Sequence, residues 1–124
     1  MTTQLKEMRM QDSIELIIGS ERPIRKAVKD DIIKEICKSC GGCTVLNSTG
    51  YWIEEAGEVR KASYEGNVVT EDTLHVQLTS ETNKTQHVYG ELQAIVKDAK
   101  LVYGLDIKWV HCKVSTSRGA HFEV

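Results

Sequence analysis

Residues 13–19, SIELIIG, alternate polar and apolar and then run apolar to a glycine, which predicts a first strand ending at Gly19. SERP follows as a turn, and the single proline, Pro23, is well placed to open a helix. Through IRKAVKDDIIKEICKSCGG, Val28, Ile32, Ile36 and Cys40 recur every fourth residue among lysines and acids. That spacing predicts an amphipathic helix, with Gly41-Gly42 as its stop. CTVLNSTGYWI (43–53) is β-branched and aromatic and predicts a second strand. The polar, glycine-broken EEAGEVRKASYEGN (54–67) predicts a long hairpin excursion. TLHVQL (73–78) alternates cleanly, as a third strand should. TSETNKT offers N-cap residues, and Val88, Leu92, Ile95, Val96 and Ala99 form the apolar face of a second helix that Gly104 ends. LDIKWVHCKVS (105–115) predicts a fourth strand, which RGAHFEV either extends or joins as a short fifth.

The order β-α-β-β-α-β predicts an α+β, ferredoxin-like sandwich: a four-stranded antiparallel sheet with both helices on one face. Residues 13–124 form one domain behind a polar leader, 1–12. The opposite sheet face and the two sheet edges remain open, and small sheets of this kind often close by oligomerising.

Composition narrows the function. The chain has 124 residues, of which 40% are hydrophobic and 27% charged, as in an ordinary globular domain. Its formal net charge is −2, which gives no electrostatic case for nucleic acid or a membrane surface as partner. No apolar run is long enough to span a bilayer, and the N-terminus lacks the apolar core of a secretion signal. Four cysteines in such a chain point to a cytoplasmic setting with free thiols.

Three of those cysteines stand in CKSCGGC, at 37, 40 and 43. A structural zinc or iron–sulfur site usually takes four ligands, and Asn47 occupies the place a fourth cysteine would need in the bacterial cluster run. Cys40 continues the apolar stripe of the helix, where a thiol packs as a small hydrophobe. The histidines, 75, 87, 111 and 121, match no zinc spacing, although His75 and His111 lie on strands that could meet across the sheet. No phosphate loop is present. Arg60, Lys61, Lys113 and Arg118 are candidate phosphate contacts, or simply solvated charge.

NSTGYW (47–52) mixes small hydrogen-bonding residues, a glycine and two aromatics, a composition suited either to a planar polar ligand or to a bulged strand. STGYW, a polar hairpin, TEDTLHVQL (70–78), a helix and the final KWVHCKVSTSRG (108–119) together resemble the phage S-adenosylmethionine (SAM) lyases, over roughly residues 43 to 120. The resemblance implies a PII-like subunit of the ferredoxin-like class, assembled as a homotrimer with active sites between subunits. It also implies cleavage of SAM to methylthioadenosine and homoserine lactone by the substrate's own carboxylate, without metal or cofactor. Relatives in type III CRISPR settings act on a SAM–AMP conjugate.

By the same resemblance Glu71 matches the essential glutamate and would hold the sulfonium or ammonium end, with Glu65 as its rival. Tyr51 matches the active-site tyrosine, with Trp52 competing; Thr49, Gly50 and Trp52 would line the nucleoside. Arg60, Lys61, Lys113 and Arg118 would serve the extra phosphate of a conjugate, and with the long hairpin they tilt the expectation toward that larger ligand. The alternatives are a non-catalytic PII-like nucleotide-binding module and a metal- or redox-sensing protein.

Overall fold

Alternation in the first strand becomes the floor of the core. In the computed structural model, which describes residues 8–53, 63, 65–107 and 109–124, β1 runs Arg9–Ser20 and buries Ile14, Leu16 and Ile18 on one face. The remaining elements are α1 (Lys26–Cys40), β2 (Thr44–Ile53), β3 (Val68–Glu81), α2 (Thr85–Tyr103) and β4 (Val110–Gly119), with a 3₁₀ turn, Thr82–Lys84, leading into α2. The sheet order is β2-β3-β1-β4 and every pairing is antiparallel. This is the ferredoxin-like α+β arrangement that the element order predicts.

Both helices lie on one face of the sheet. The fourfold spacing of α1 buries Val28, Ile32 and Ile36, and α2 buries Leu92, Val96 and Ala99. These meet Leu74, Val76 and Leu78 of β3 and the three aliphatics of β1 in one cluster. Burying each large aliphatic contributes roughly 1.5–3 kcal/mol. Cys40, Cys43 and Cys112 pack against the cluster's margin as half-buried thiols. Gly41 ends α1 in the left-handed region, φ 90°, its N–H bonded to the Cys37 carbonyl at 2.9 Å.

Two carboxylates, Asp12 buried and Asp72 half-buried, pin the layers. Asp12 accepts from the Thr85 hydroxyl at 2.5 Å and the Thr116 hydroxyl at 2.7 Å, joining β1 to the start of α2 and to β4. Asp72 accepts from the Ile24 N–H at 2.9 Å and from Lys29 Nζ at 3.0 Å, which fixes the entry to α1.

Element boundaries differ from the pattern in three places. β1 begins at Arg9, inside the stretch expected to be a leader, because Asp12 is buried by hydrogen bonding and shows no apolar alternation. β3 begins at Val68, so Glu71 and Asp72 lie within a strand rather than before one. β4 begins only at Val110, because Ile107 turns into the core and its carbonyl takes a hydrogen bond from Lys100 Nζ. β4 then runs to Gly119, and residues 120–124 form no further strand. Among the described residues, no helix is long and apolar enough to cross a membrane. Most of the expected hairpin excursion, 54–62 and 64, lies outside the described residues.

Candidate active site

The sheet face away from the helices carries the polar half of each strand. Across it, Ile17 of β1 pairs with His75 of β3 on one side and His111 of β4 on the other. Two strand spacings therefore separate the histidines, roughly 10 Å, and they do not meet. Toward the middle of this face, Gln77 Nε2 donates to Glu15 Oε1 at 2.7 Å, and His75 Nε2 lies 3.4 Å from the same oxygen without the alignment of a hydrogen bond. The Gln77 amide, and then His75, hold the Glu15 carboxyl below the usual carboxylate range.

One end of the face is concave. A pocket of ≈ 210 Å³ is floored by Ile17 and Gly19 of β1 and Glu71 and Thr73 of β3. Gly50 and Trp52 of β2 wall one side, and Trp109 and His111 wall the other. Glu21 and Asp106 stand at the mouth, and Arg22 Nε lies 3.8 Å from Asp106 on the solvent side.

Glu71 sits between two glycines. Gly50 is its register partner on β2, and Gly19 lies diagonally across on β1, opposite Thr73. A Cβ at Gly19 would stand 1.9 Å from Glu71 Oε2, and one at Gly50 would stand 3.1 Å from Thr73 Cγ2 and 3.7 Å from Glu71 Cβ. The carboxylate thus lies flat against bare backbone, as a glycine inside a strand allows. Among the described residues it makes no hydrogen bond or ion pair, so its lone pairs remain available to a ligand. Beneath it, Ser48 and Thr73 fasten β2 to β3: Thr73 Oγ1 donates to the Ser48 carbonyl at 2.6 Å, and the two hydroxyls lie 2.5 Å apart.

Charge and surface type narrow what the pocket can hold. Its described lining carries three carboxylates, two tryptophans and one tyrosine, and no lysine or arginine. Acid beside exposed indole is the combination that attracts an organic cation, through Coulomb attraction and the ring quadrupole. Trp52 Nε1 is buried without a hydrogen-bond partner among the described residues, which leaves one donor for an acceptor on the ligand.

The residues singled out in the sequence separate here. Glu71, Gly50 and Trp52 converge on the pocket. Tyr51 also borders it, but strand alternation turns Tyr51 away from the face that carries Trp52, and it is 71% exposed at the rim. Thr49 pairs with Asp72 on the helix side and does not line the pocket. Glu65 is exposed and also lies off the lining. Lys113 shares the face with His111 but stands one pleat farther along, opposite Glu15. Arg118 pairs with Met10 at the far end of β4. Arg60 and Lys61 lie outside the described residues.

Gly19, Trp109, Glu21 and Asp106 carry no functional signal in the sequence, and His111 stands out there only as a possible partner for His75. Gly19 carries a structural signal alone, a glycine inside an alternating strand, which reads equally well as a strand end. Trp109, His111 and Lys113 follow period two, which places them on one face once the strand is known. Among the described residues no three His, Cys, Asp or Glu side chains are placed to share a metal ion.

No family model matches the chain, and no curated protein matches it. Among solved structures, it is similar to a phage SAM lyase in complex with S-methyl-5'-thioadenosine. The two are 16% identical, the match covers 91% of this chain and 93% of that one, and the TM-score is 0.52. At that identity the likeness is one of fold.

Proposed function

We propose that the chain is a SAM lyase, acting as a homotrimer in which a neighbouring subunit completes each active site. The observation that carries this is the Glu71 carboxylate, laid bare between Gly19 and Gly50 and faced by Trp52 and Trp109, in a fold shared with a lyase that binds methylthioadenosine. SAM carries a sulfonium and an ammonium, the kind of charge that this acidic, aromatic pocket attracts.

The reaction needs little from the protein. The substrate carboxylate oxygen attacks its own γ-carbon, the C–S bond breaks, and the bonding pair goes to sulfur. The products are methylthioadenosine, now a neutral thioether, and homoserine lactone. Opposite charges cancel as the ring closes, so a site that excludes water favours the transition state over the hydrated ground state. The remaining task is to fold the methionine tail into a five-membered approach. Glu71 holds the cationic end, Trp52 and Gly50 bound the nucleoside side, and Tyr51 orients the substrate from the rim.

Size supports the trimer. A pocket of ≈ 210 Å³ is smaller than the roughly 300 Å³ at which sites for ligands of this class begin. Trp109 is 70% exposed beside it, as a residue awaiting a second surface would be.

A SAM–AMP conjugate is the alternative substrate, and the setting follows from the substrate: phage defence against restriction for SAM, removal of a type III CRISPR signal for the conjugate. The described lining holds carboxylates and no cation for the added phosphate, and Arg118 stands at the other end of the sheet, so free SAM is favoured. The test is incubation with each compound, followed by chromatography for methylthioadenosine or its AMP conjugate, with subunit number measured by light scattering. Binding without turnover of either compound would leave a PII-like sensory module in place of a lyase.

A further inference from the structure

CKSCGGC takes no part in the pocket, yet the fold brings two of its thiols into contact. Cys37 lies in the last turn of α1 and Cys43 just before β2, and their sulfurs are 3.9 Å apart. Between them Gly41 and Gly42 have open space where side chains would stand, so nothing packed resists a small movement of the joint. Cys40 and Cys43 lean on the core; Cys37 is half-buried and stands off it. Cys112 is remote in the sheet, on β4.

We propose that Cys37 and Cys43 form an oxidisable dithiol, which low-molecular-weight disulfides convert to an intramolecular Cys37–Cys43 disulfide. The Cys37 thiolate attacks one sulfur of the oxidant, whose S–S bond breaks and releases one thiol. Cys43 gives its proton to solvent and attacks the Cys37 sulfur of the mixed disulfide, releasing the second thiol. Two protein thiols are oxidised and one disulfide is reduced, so electrons and protons balance. Burial, and then the neighbouring Cys37, push the Cys43 thiol up to about 11, so closure depends on base. The bond would tie the end of α1 to the start of the strand that carries Gly50 and Trp52. The proposal is independent of the lyase reading.

The test is treatment of the purified chain with excess glutathione disulfide, an alkylating quench and peptide mapping. The expected product is a Cys37–Cys43 cross-link, with a mass loss of about 2 Da. It forms faster as pH rises from about 7 to 9 and survives Cys40→Ser unchanged. Cys43→Ser should stop at a glutathione adduct on Cys37. A Cys37–Cys40 bridge, a persistent adduct in the native chain, or four thiols still free to alkylate would each overturn the proposal. Mapping of the native chain decides by itself, whatever the folding of the variants, and no readout uses SAM.

Discussion

Glu71 Oε2 lies so close over Gly19 that a methyl group there would be 1.9 Å away, against ordinary nonbonded separations of roughly 3.5–4.0 Å. Gly19 lies in extended strand and has no positive φ, so alanine meets a steric barrier and no torsional one. Gly19→Ala should turn the carboxylate aside and lower kcat/KM for SAM about 10- to 100-fold, with little change in Tm. Shortening the acid in Gly19→Ala/Glu71→Asp should recover part of the loss. Full activity in Gly19→Ala would mean that this placement of Glu71 is not what the reaction uses.

Glu71→Gln keeps the shape of the side chain and removes its charge. Turnover should fall about 100-fold or more if the charge holds the cationic end of the substrate. Glu65, off the lining, should tolerate Gln within about threefold. Single-turnover rates for the two variants separate these roles, and the reverse ranking would move the essential glutamate to Glu65.

Trp52→Phe retains an aromatic wall and deletes the unpartnered N–H. The dissociation constant for methylthioadenosine should rise about 3- to 10-fold, the worth of one neutral hydrogen bond. Calorimetric titration measures it. No change would mean that the ligand does not accept from Nε1.

Asp12 sets part of the acid limit of stability. Its hydrogen bonds from Thr85, then Thr116, lower its pKa in the folded chain from 3.8. The folded state therefore holds fewer protons than the unfolded one below that value, and the stabilisation, full above about pH 4, drains away as pH falls further. Urea midpoints measured down the acid range should fall for the native chain. Asp12→Asn should be less stable near neutrality and flatter in acid, so parallel curves would sink the assignment.

Asp72→Asn tests the helix side of β3, the strand that carries Glu71. The amide can still accept from Ile24 N–H but loses the ion pair with Lys29, which is only partly shielded from solvent. A loss of about 1 kcal/mol is expected, read as a lower Tm, with kcat per folded molecule unchanged. A drop in kcat would show that Asp72 reaches the reaction through Glu71.

The core was open to reading because its signals are periodic: Val28, Ile32 and Ile36 at helical spacing, and Leu74, Val76 and Leu78 at strand spacing, are buried as the pattern says. Elements stabilised by hydrogen bonding instead of apolar burial were shortened, as at Asp12. The site was half legible. Glu71, Gly50 and Trp52 stood out by residue type, but which neighbours share their face depends on strand parity. Parity sends Thr49 to the helix side and brings in Trp109 and His111 from a strand far along the chain. Gly19 escaped because its role is to leave room for a side chain fifty-two positions later, which no local pattern records.

Glu71 and Asp72, adjacent in the chain, serve opposite faces of β3, one turned to the pocket and one anchoring α1. A single residue inserted between Asp72 and Thr73, with Thr73 held to Ser48, would exchange them, turning Glu71 toward the helices and presenting the shorter Asp72 to the pocket in its place. Lineages of this protein should therefore vary freely in length between β2 and β3, while inside the paired segments odd-numbered length changes should be absent.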